Sequence, residues 1–319
     1  MKSSNEKDAI LLNEWKLKPS GFPVVTYVPE GQTKTFRGAG VDFDGEFSIG
    51  ANELSASDWI SVFGFDPTEP LAILIQRSVT KLKKNKEDYS IDDIINSIKS
   101  EKGFESEKLA LENMFEAAKT WGIFGDSKMP SLLDPGKATI IDVSLTPQNV
   151  RTLLVALVSR KIYIQRTIAR RKEELAETEG SFIKRTPMCW MFIDEAHNFL
   201  PHKGMVASSD ILLRLVKEGR QPGITLVLAT QRPDKLHQDA LAQCDMVISH
   251  MLTAKADIEA LRSIMQTYIL FDITKYMNAL PKLKGVALIL DDNSERIYSI
   301  RIRPRQSWHA GSSPIALSK

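Results

Sequence analysis

The sequence has few cysteines, no long apolar run and no excess of either charge. Its two cysteines, Cys189 and Cys244, stand far apart in apolar contexts, which argues against a disulfide framework or a zinc site and predicts reduced thiols in a protein core. No stretch reaches the roughly 20 apolar residues that a membrane-spanning helix needs, and the polar N-terminus has no signal-like apolar segment. We therefore expect a cytoplasmic protein without stable membrane insertion.

The near balance of charge limits what composition can say about partners. Lys and Arg total 42, Asp and Glu total 40, and the net charge is +2. Because the whole chain would not attract nucleic acid, any DNA-binding surface must be a local patch. A content of 43% hydrophobic and 26% charged residues over 319 residues is typical of a globular protein with one large domain or two smaller ones.

One apolar stretch ends in a pair of acids. Residues 189–193 are apolar without a break, and Asp194 and Glu195 come directly after them. The pattern predicts a strand buried on both faces, with the acids at the carboxyl edge of a parallel sheet, where α/β proteins hold their ligands. There, Asp194 would suit Mg²⁺ held through water, and Glu195 would suit a water that attacks a nucleotide γ-phosphate. Taken alone, the stretch fits an Asp-Glu helix cap equally well.

Polar residues also come after the next apolar stretch. Residues 223–229 predict another buried strand, and Thr230 and Gln231 stand directly behind it in the chain. If the two strands are neighbours, Gln231 can hydrogen-bond a water or phosphate oxygen opposite Glu195. Arg220 precedes the second strand and would lie at the opposite edge of the sheet. From there a guanidinium reaches a neighbouring subunit's nucleotide more easily than its own.

The remaining pattern predicts an α/β fold with a mostly parallel sheet, flanking helices and a helical insertion. Strands are expected over residues 23–29, 136–143, 189–193, 223–229, 246–249, 286–290 and 296–302, with loop or edge structure over 36–49. Helices are expected over residues 55–63, 70–84, 105–120, 147–180, 209–218, 256–265 and 273–279, and from Ser90 onwards. We divide the chain into the N-terminal part of the core, 1–54, the helical insertion, 55–130, and the part of the core that carries the site, 131–319.

Four segments resemble the HerA/FtsK superfamily of RecA-like motor ATPases, and in particular its HerA-type branch. They are Phe-Ile-Asp-Glu-Ala-His (192–197), Val-Lys-Glu-Gly-Arg-Gln-Pro-Gly-Ile (216–224), Leu-Ala-Thr-Gln-Arg-Pro (228–233) and Leu-Ala-Gln-Cys-Asp (241–245). The resemblance is dense from about 133 to 251 and weaker before residue 130. The segment 302–311 is similar to the basic C-terminal segment of these proteins.

The resemblance implies a RecA-like P-loop NTPase core that uses ATP and Mg²⁺. It implies a hydrolase that works as a hexameric ring, a helicase or translocase on duplex DNA in DNA repair, in some cases beside a nuclease of the NurA type. By the same resemblance, Asp194 and Glu195 form the Walker B pair, with Asp194 on magnesium and Glu195 catalytic. Gln231 takes the sensor role and Arg220 acts in trans. Three tail arginines are candidates for DNA or inter-subunit contacts: Arg301, Arg303 and Arg305.

The sequence departs from the family pattern in one respect. A phosphate-binding loop, Gly-x-x-x-x-Gly-Lys and then Ser or Thr, occurs nowhere in the 319 residues. Gly136-Lys137 is not such a loop, because Ala138 is the next residue and the segment precedes a strand. Without the loop, the β- and γ-phosphates have no cradle. We therefore expect a C-terminal portion of a larger ATPase rather than a degenerate one, and leave open whether this chain alone is an enzyme.

Other functions remain as alternatives. A conjugation or DNA-packaging motor of the same superfamily would share these motifs. A helicase with two RecA-like lobes also has Asp-Glu-Ala-His, but needs downstream motifs that the sequence lacks. A non-catalytic DNA-binding or ring subunit would use basic residues on the long helix, namely Arg166, Arg170 and Arg171, together with the tail arginines. Read alone, such clusters are also typical of solvated surfaces.

Overall fold

A computed structural model describes residues 2–125, 127, 129–264, 273–292 and 294–308. Its strands are β1 (Val24–Pro29), β2 (Gly45–Phe47), β3 (Ala138–Ile141), β4 (Cys189–Ile193), β5 (Ile224–Leu228), β6 (Met246–Ser249), β7 (Val286–Asp291) and β8 (Arg296–Arg301). Its helices are α1 (Ala9–Glu14), α2 (Thr33–Gly38), α3 (Ala56–Phe63), α4 (Pro70–Asn85), α5 (Ile91–Ser100), α6 (Glu105–Lys119), α7 (Gln148–Glu179), α8 (Ser209–Glu218), α9 (Gln238–Ala242), α10 (Lys255–Ile264) and α11 (Ile273–Ala279).

The described strands form three hydrogen-bonded groups. The orders are β2-β1-β3 and β4-β5, both parallel, and β6-β7-β8, which is antiparallel. The predicted α/β class with parallel strands and flanking helices is confirmed. The strands β6 to β8 are the part that departs from the predicted, mostly parallel order. Only four residues, 292–295, join β7 to β8, whereas a parallel crossover needs about a dozen or more.

Serine caps begin two of the predicted helices. Ser55 accepts a hydrogen bond from the backbone of Asp58, whose carboxylate accepts one from the Ser55 backbone at 2.8 Å. Ser90 and Asp93 form the same reciprocal pair at the start of α5. These capping boxes satisfy backbone N–H groups that a helix start leaves without partners. The positions at which both helices begin can therefore be predicted from the sequence.

The helices α3 to α6 lie between β2 and β3 in the chain and share one apolar core. Trp59 is fully buried at its centre, with ring centroids of Phe115 at 4.9 Å and of Phe124 at 5.6 Å. This agrees with the predicted helical insertion, while the domain boundaries remain a prediction. The expected loop over 36–49 was only partly right, since residues 33–38 form α2 and residues 45–47 pair with β1.

A buried carboxylate joins the helical insertion to α7. The Arg160 guanidinium donates two hydrogen bonds to the Asp58 carboxylate. One runs from Nη1 to Oδ2 at 3.0 Å, and the other runs from Nη2 to Oδ1. Burial acts to raise the pKa of Asp58, but the hydrogen bonds from Arg160 and Ser55 outweigh it, and the pKa lies below its ordinary value. The ionised form of Asp58 therefore stabilises the folded protein.

This pair predicts a dependence of stability on pH. Because the folded pKa of Asp58 is lowered, its contribution is fully present above about pH 4, the ordinary aspartate value, and is lost as the pH falls through the folded value. We expect the free energy of unfolding, measured with urea at pH 7 and at about pH 3, to fall less in Asp58→Asn than in the natural sequence. An equal fall in both proteins would contradict this role.

The strand β4 is exposed on one face, contrary to the prediction of burial on both. Trp190 is 66% exposed and Phe192 is 71% exposed, while Ile193 on the other face is buried. The inner face packs on α7, where the Ser159 hydroxyl lies 3.6 Å from the Met191 sulfur. No described residue covers the outer face.

No helix in the described ranges combines the length and hydropathy needed to cross a membrane.

Candidate nucleotide-binding site

The acid pair lies at the carboxyl end of β4, as predicted. The backbone N–H of Glu195 donates to Asp194 Oδ1 at 2.9 Å, and the other Asp194 oxygen has no hydrogen-bond partner among the described residues. Glu195 has a φ of 48°, in the left-handed region that residues other than glycine seldom adopt. Such backbone conformations concentrate at functional sites. The pair is therefore part of a tight turn rather than the first turn of an ordinary helix.

The structure brings Gln231 to Glu195. β4 and β5 are parallel neighbours with Ile193 opposite Leu228, so the residues beyond the ends of both strands meet at one edge. Gln231 Nε2 donates to Glu195 Oε1 at 3.3 Å. The two side chains face each other, as expected. A carboxylate and an amide therefore border the same small space.

A histidine lies behind the acid pair. His197 Nδ1 is 3.0 Å from Thr230 Oγ1 and 3.5 Å from Glu195 Oε2. Thr230 Oγ1 also accepts from the backbone N–H of Arg232 at 3.0 Å. His197 is therefore a structural neighbour that connects the ends of both strands. Within the described ranges, no group of three or more His, Cys, Asp or Glu side chains could hold a metal on its own.

The donor set fits the metal and water side of a magnesium–nucleotide site. An exposed carboxylate with a free oxygen, as at Asp194, suits a hydrated Mg²⁺, which keeps several of its waters and takes few protein ligands. Glu195 and Gln231 can accept from and donate to one water placed between them. The phosphate side is not formed by Gly136 and Lys137. Lys137 lies in the turn before β3, and its ammonium is 3.9 Å from the Asp134 carboxylate.

Arg220 lies away from this edge. It is exposed in the turn between α8 and the start of β5. The five residues of β5 separate that turn from Gln231, and the rise of a strand makes this at least about 13 Å. The structure does not bring Arg220 to Glu195 of its own chain, in agreement with the predicted placement at opposite edges.

The long helix differs from its predicted basic surface at one position. Arg166 is only 2% exposed, so it cannot contact DNA, whereas Arg171 is exposed. No local signal in the sequence indicates this burial, since Arg166 stands where the helix changes from mostly apolar to mostly charged residues. Cys189 is half-buried nearby, and burial raises the pKa of its thiol although Arg166 lowers it. Burial also raises the pKa of Cys244. Both cysteines are free.

The tail arginines form a separate feature. Arg301, Arg303 and Arg305 are exposed at the end of β8 and in the extended segment after it. Arg303 Nη1 donates to Gln306 Oε1 at 2.6 Å. Asn5 Nδ2 donates to the Arg305 carbonyl at 2.9 Å. No described contact joins these arginines to the acid pair, and tail residues 309–311 lie outside the described ranges.

The exposed apolar face of β4 adjoins the acid pair. Along the strand Trp190, Phe192 and then Asp194 are exposed, while the residues between them are at least partly buried. The two aromatic rings stack at 6.3 Å. On β6, Met246 and Ile248 are also exposed. Among the described strands, β5 pairs only with β4, and β6 pairs only with β7. The site therefore lies beside the uncovered apolar face of β4 and beside the edges of β4 and β5 that pair with no described strand.

Comparison with known proteins gives a family match and distant relatives. The model of the ATPase family associated with various cellular activities (AAA) matches residues 136–251. The DNA double-strand break repair helicase HerA of Pyrococcus furiosus is 24% identical over 143 residues, 40% of this chain and 26% of that protein. A probable helicase of Methanocaldococcus jannaschii is 22% identical over 200 residues, 57% of this chain and 37% of that protein. The chain thus spans between about a quarter and two fifths of the length of these curated relatives.

Two solved structures share the fold over most of the chain. VirB4 of Thermoanaerobacter pseudethanolicus has a TM-score of 0.58 and 12% identity, covering 94% of this chain and 85% of that chain. The plasmid coupling protein TrwB, in complex with the GTP analogue GDPNP, has a TM-score of 0.51 and 14% identity, covering 92% and 76%. At such identities the likeness concerns the fold alone. Together with its relatives, this fold confirms what the motifs predict, that the chain resembles the HerA/FtsK superfamily of RecA-like ATPases.

Proposed function

We propose that this chain forms the acid and sensor half of the ATP site in a HerA-type DNA translocase or helicase that works as a ring. The contact between Glu195 and Gln231 beside Asp194 carries the proposal. When bound, Mg²⁺ and ATP would supply the metal charge and the phosphate that water attacks. Glu195 would accept the proton of that water, Gln231 would orient it, and Asp194 would hold the hydrated metal.

We further propose that a phosphate-binding loop reaches this site from a strand–helix unit, in the same polypeptide or in a partner. The exposed rings of Trp190 and Phe192 support this, because uncovered apolar surface of this kind marks an interaction site. Asp194 lies beyond them on the same side of the strand. A unit that covers the rings therefore ends beside the acid pair. In the experiments below, the complete site means this chain assembled with such a loop, whether the loop belongs to the same polypeptide or to a partner.

The ring and the DNA substrate are inferred from relatives and from exposed arginines. HerA of Pyrococcus furiosus is described as a DNA double-strand break repair helicase, and the present chain aligns with part of it. The exposed Arg220, at the edge of the sheet away from its own acid pair, supports a role across a subunit boundary. The exposed tail arginines support contact with DNA phosphates or with a neighbouring subunit. A NurA-type nuclease partner and a role in DNA repair belong to the same proposal.

ATP hydrolysis with and without DNA tests the proposed function. We expect the protein with the complete site to hydrolyse ATP only with Mg²⁺, and linear duplex DNA to raise the rate more than single-stranded DNA of equal length. Displacement of a third strand from duplex DNA would report translocation. Nucleotide binding without hydrolysis under any of these conditions would instead favour a non-catalytic ring subunit.

A further inference from the structure

The turn that carries Arg220 has a hydrogen bond at each end. The backbone N–H of Ile224 donates to the Gly219 carbonyl at 2.8 Å, and that of Gly223 donates to the Arg220 carbonyl at 3.2 Å. Gly223 has a φ of +77°, which glycine adopts without strain. The Arg220 side chain is exposed, and no described carboxylate pairs with it. The turn presents a free guanidinium from an ordered backbone.

The buried side chain of Arg166 packs against this turn from inside the protein. Its Nε donates to the Pro222 carbonyl at 2.8 Å, and its Nη1 donates to the Thr186 carbonyl at 2.7 Å. A Cβ added to Gly223 would lie 3.2 Å from Arg166 Nη2. One guanidinium thus fixes the Arg220 turn to α7 and to the segment that enters β4.

Glu173 balances the buried charge. Its Oε1 lies 3.3 Å from Arg166 Nη1, and its side chain is also buried. A buried ion pair seldom adds net stability over apolar residues of the same size, because both charges lose their hydration. The pair therefore points to a need to hold the neighbouring backbone in one position. A rigid guanidinium can donate several hydrogen bonds in set directions, and an apolar residue cannot.

A second contact holds the other side of the turn. Tyr163 lies one helical turn before Arg166 on α7, and its hydroxyl donates to Glu218 Oε2 at 2.9 Å. The same oxygen accepts from Arg214 Nε at 2.8 Å. Residues 218 and 222 flank Arg220 in the chain, so α7 holds both sides of the turn.

We propose that Arg166, neutralised by Glu173, is a positioning residue that sets the direction of Arg220 toward a neighbouring subunit. The inference rests on the proposed trans role of Arg220. Arg166 acts through the Pro222 carbonyl and does not itself touch a nucleotide. Its loss leaves Arg220 in the chain but frees the turn, so the guanidinium occupies the productive position for a smaller fraction of the time.

Hydrogen exchange in the 319-residue chain tests the positioning directly. In Arg166→Met/Glu173→Met, two apolar side chains replace the buried pair, so the chain should stay folded, while the carbonyls of Pro222 and Thr186 lose their donor. Loss of the charge-assisted bonds should speed exchange at the amides of Gly223 and Ile224 about tenfold. The Ala229 amide, which donates to Ile193 beyond the other end of β5, should be unaffected. Unchanged exchange at 223 and 224 would overturn the proposal.

Two further variants separate local from general effects. Arg185→Met/Glu177→Met removes a pair of the same type that is exposed at the end of α7, and we expect it to leave exchange in the turn unchanged. Arg166→Lys keeps the charge but cannot reproduce three contacts from a rigid fork. It should give an intermediate rate of exchange, and it serves as the test if the double variant does not fold.

Turnover by the complete site then links positioning to catalysis. We expect Arg166→Met/Glu173→Met to lower kcat about tenfold with KM for ATP unchanged. Faster exchange with unchanged kcat would overturn the link to catalysis. Arg220→Ala separates the causes of that result: if it also leaves kcat unchanged, the trans role in the proposed function is wrong, and if it lowers kcat, only the role of Arg166 is wrong.

Discussion

Glu195→Gln is expected to lower ATP turnover by the complete site by a factor of about 10²–10⁴, the usual contribution of a general base. The amide keeps the size of the carboxylate and can still contact Gln231, but it cannot accept a proton from water. The affinity for ATP and Mg²⁺ should therefore remain. A coupled assay of phosphate release and titration with a fluorescent ATP analogue measure the two quantities separately.

A matched variant controls for loss of charge alone. Glu179→Gln makes the same chemical change at the exposed end of α7, and its turnover should equal that of the natural sequence. If Glu195→Gln keeps normal hydrolysis, Glu195 is not the catalytic base. If both hydrolysis and nucleotide binding are lost, the carboxylate serves binding instead, and the assignment to Glu195 is equally wrong.

Arg220→Ala is expected to lower turnover about 10³-fold or more, the lower end of the range for an arginine that stabilises a phosphoryl-transfer transition state in trans. The reason is geometric, because Arg220 is exposed at the edge of the sheet opposite its own acid pair. The same phosphate-release assay applies. Arg77→Ala, which removes an exposed arginine of α4, is the control and should retain full activity.

Mixing of variants shows across which interface Arg220 acts. Subunits with Glu195→Gln keep Arg220, and subunits with Arg220→Ala keep Glu195. If the arginine acts in trans, assemblies of both contain interfaces with one intact copy of each residue, and activity should reappear at intermediate ratios. Absence of recovery at every ratio, with mixed assembly verified by crosslinking, would exclude the trans role.

Much of the site could be predicted because its parts are local in sequence. The apolar stretch before Asp194 and the one before Gln231 each indicate a strand, and parallel neighbours place the residues beyond their carboxyl ends at one edge. The contact between Gln231 and Glu195 results from that order. The starts of α3 and α5 were equally accessible, since a serine and an aspartate three residues later satisfy the helix end by themselves.

Other features depend on which surfaces meet. Trp190 and Phe192 have the composition of a buried strand, yet one face of β4 has no described neighbour. The pairing of β6 with β7 is antiparallel although helices separate the two strands in the chain. Apolar periodicity reports which residues prefer burial, but it does not report what covers them or in which direction a distant strand runs.

By itself, the sequence determined the α/β class, the order of the elements and the meeting of the acid pair with Gln231, because hydrophobic spacing and helix caps act over a few residues. Only the tertiary structure decided that Arg166 is a buried support of the Arg220 turn. From sequence alone, an arginine in the charged part of a helix is predicted to lie on the surface. It can be buried only where backbone carbonyls and a carboxylate surround its guanidinium. Here Pro222, Thr186 and Glu173 do so, and they are assembled by packing rather than by local sequence.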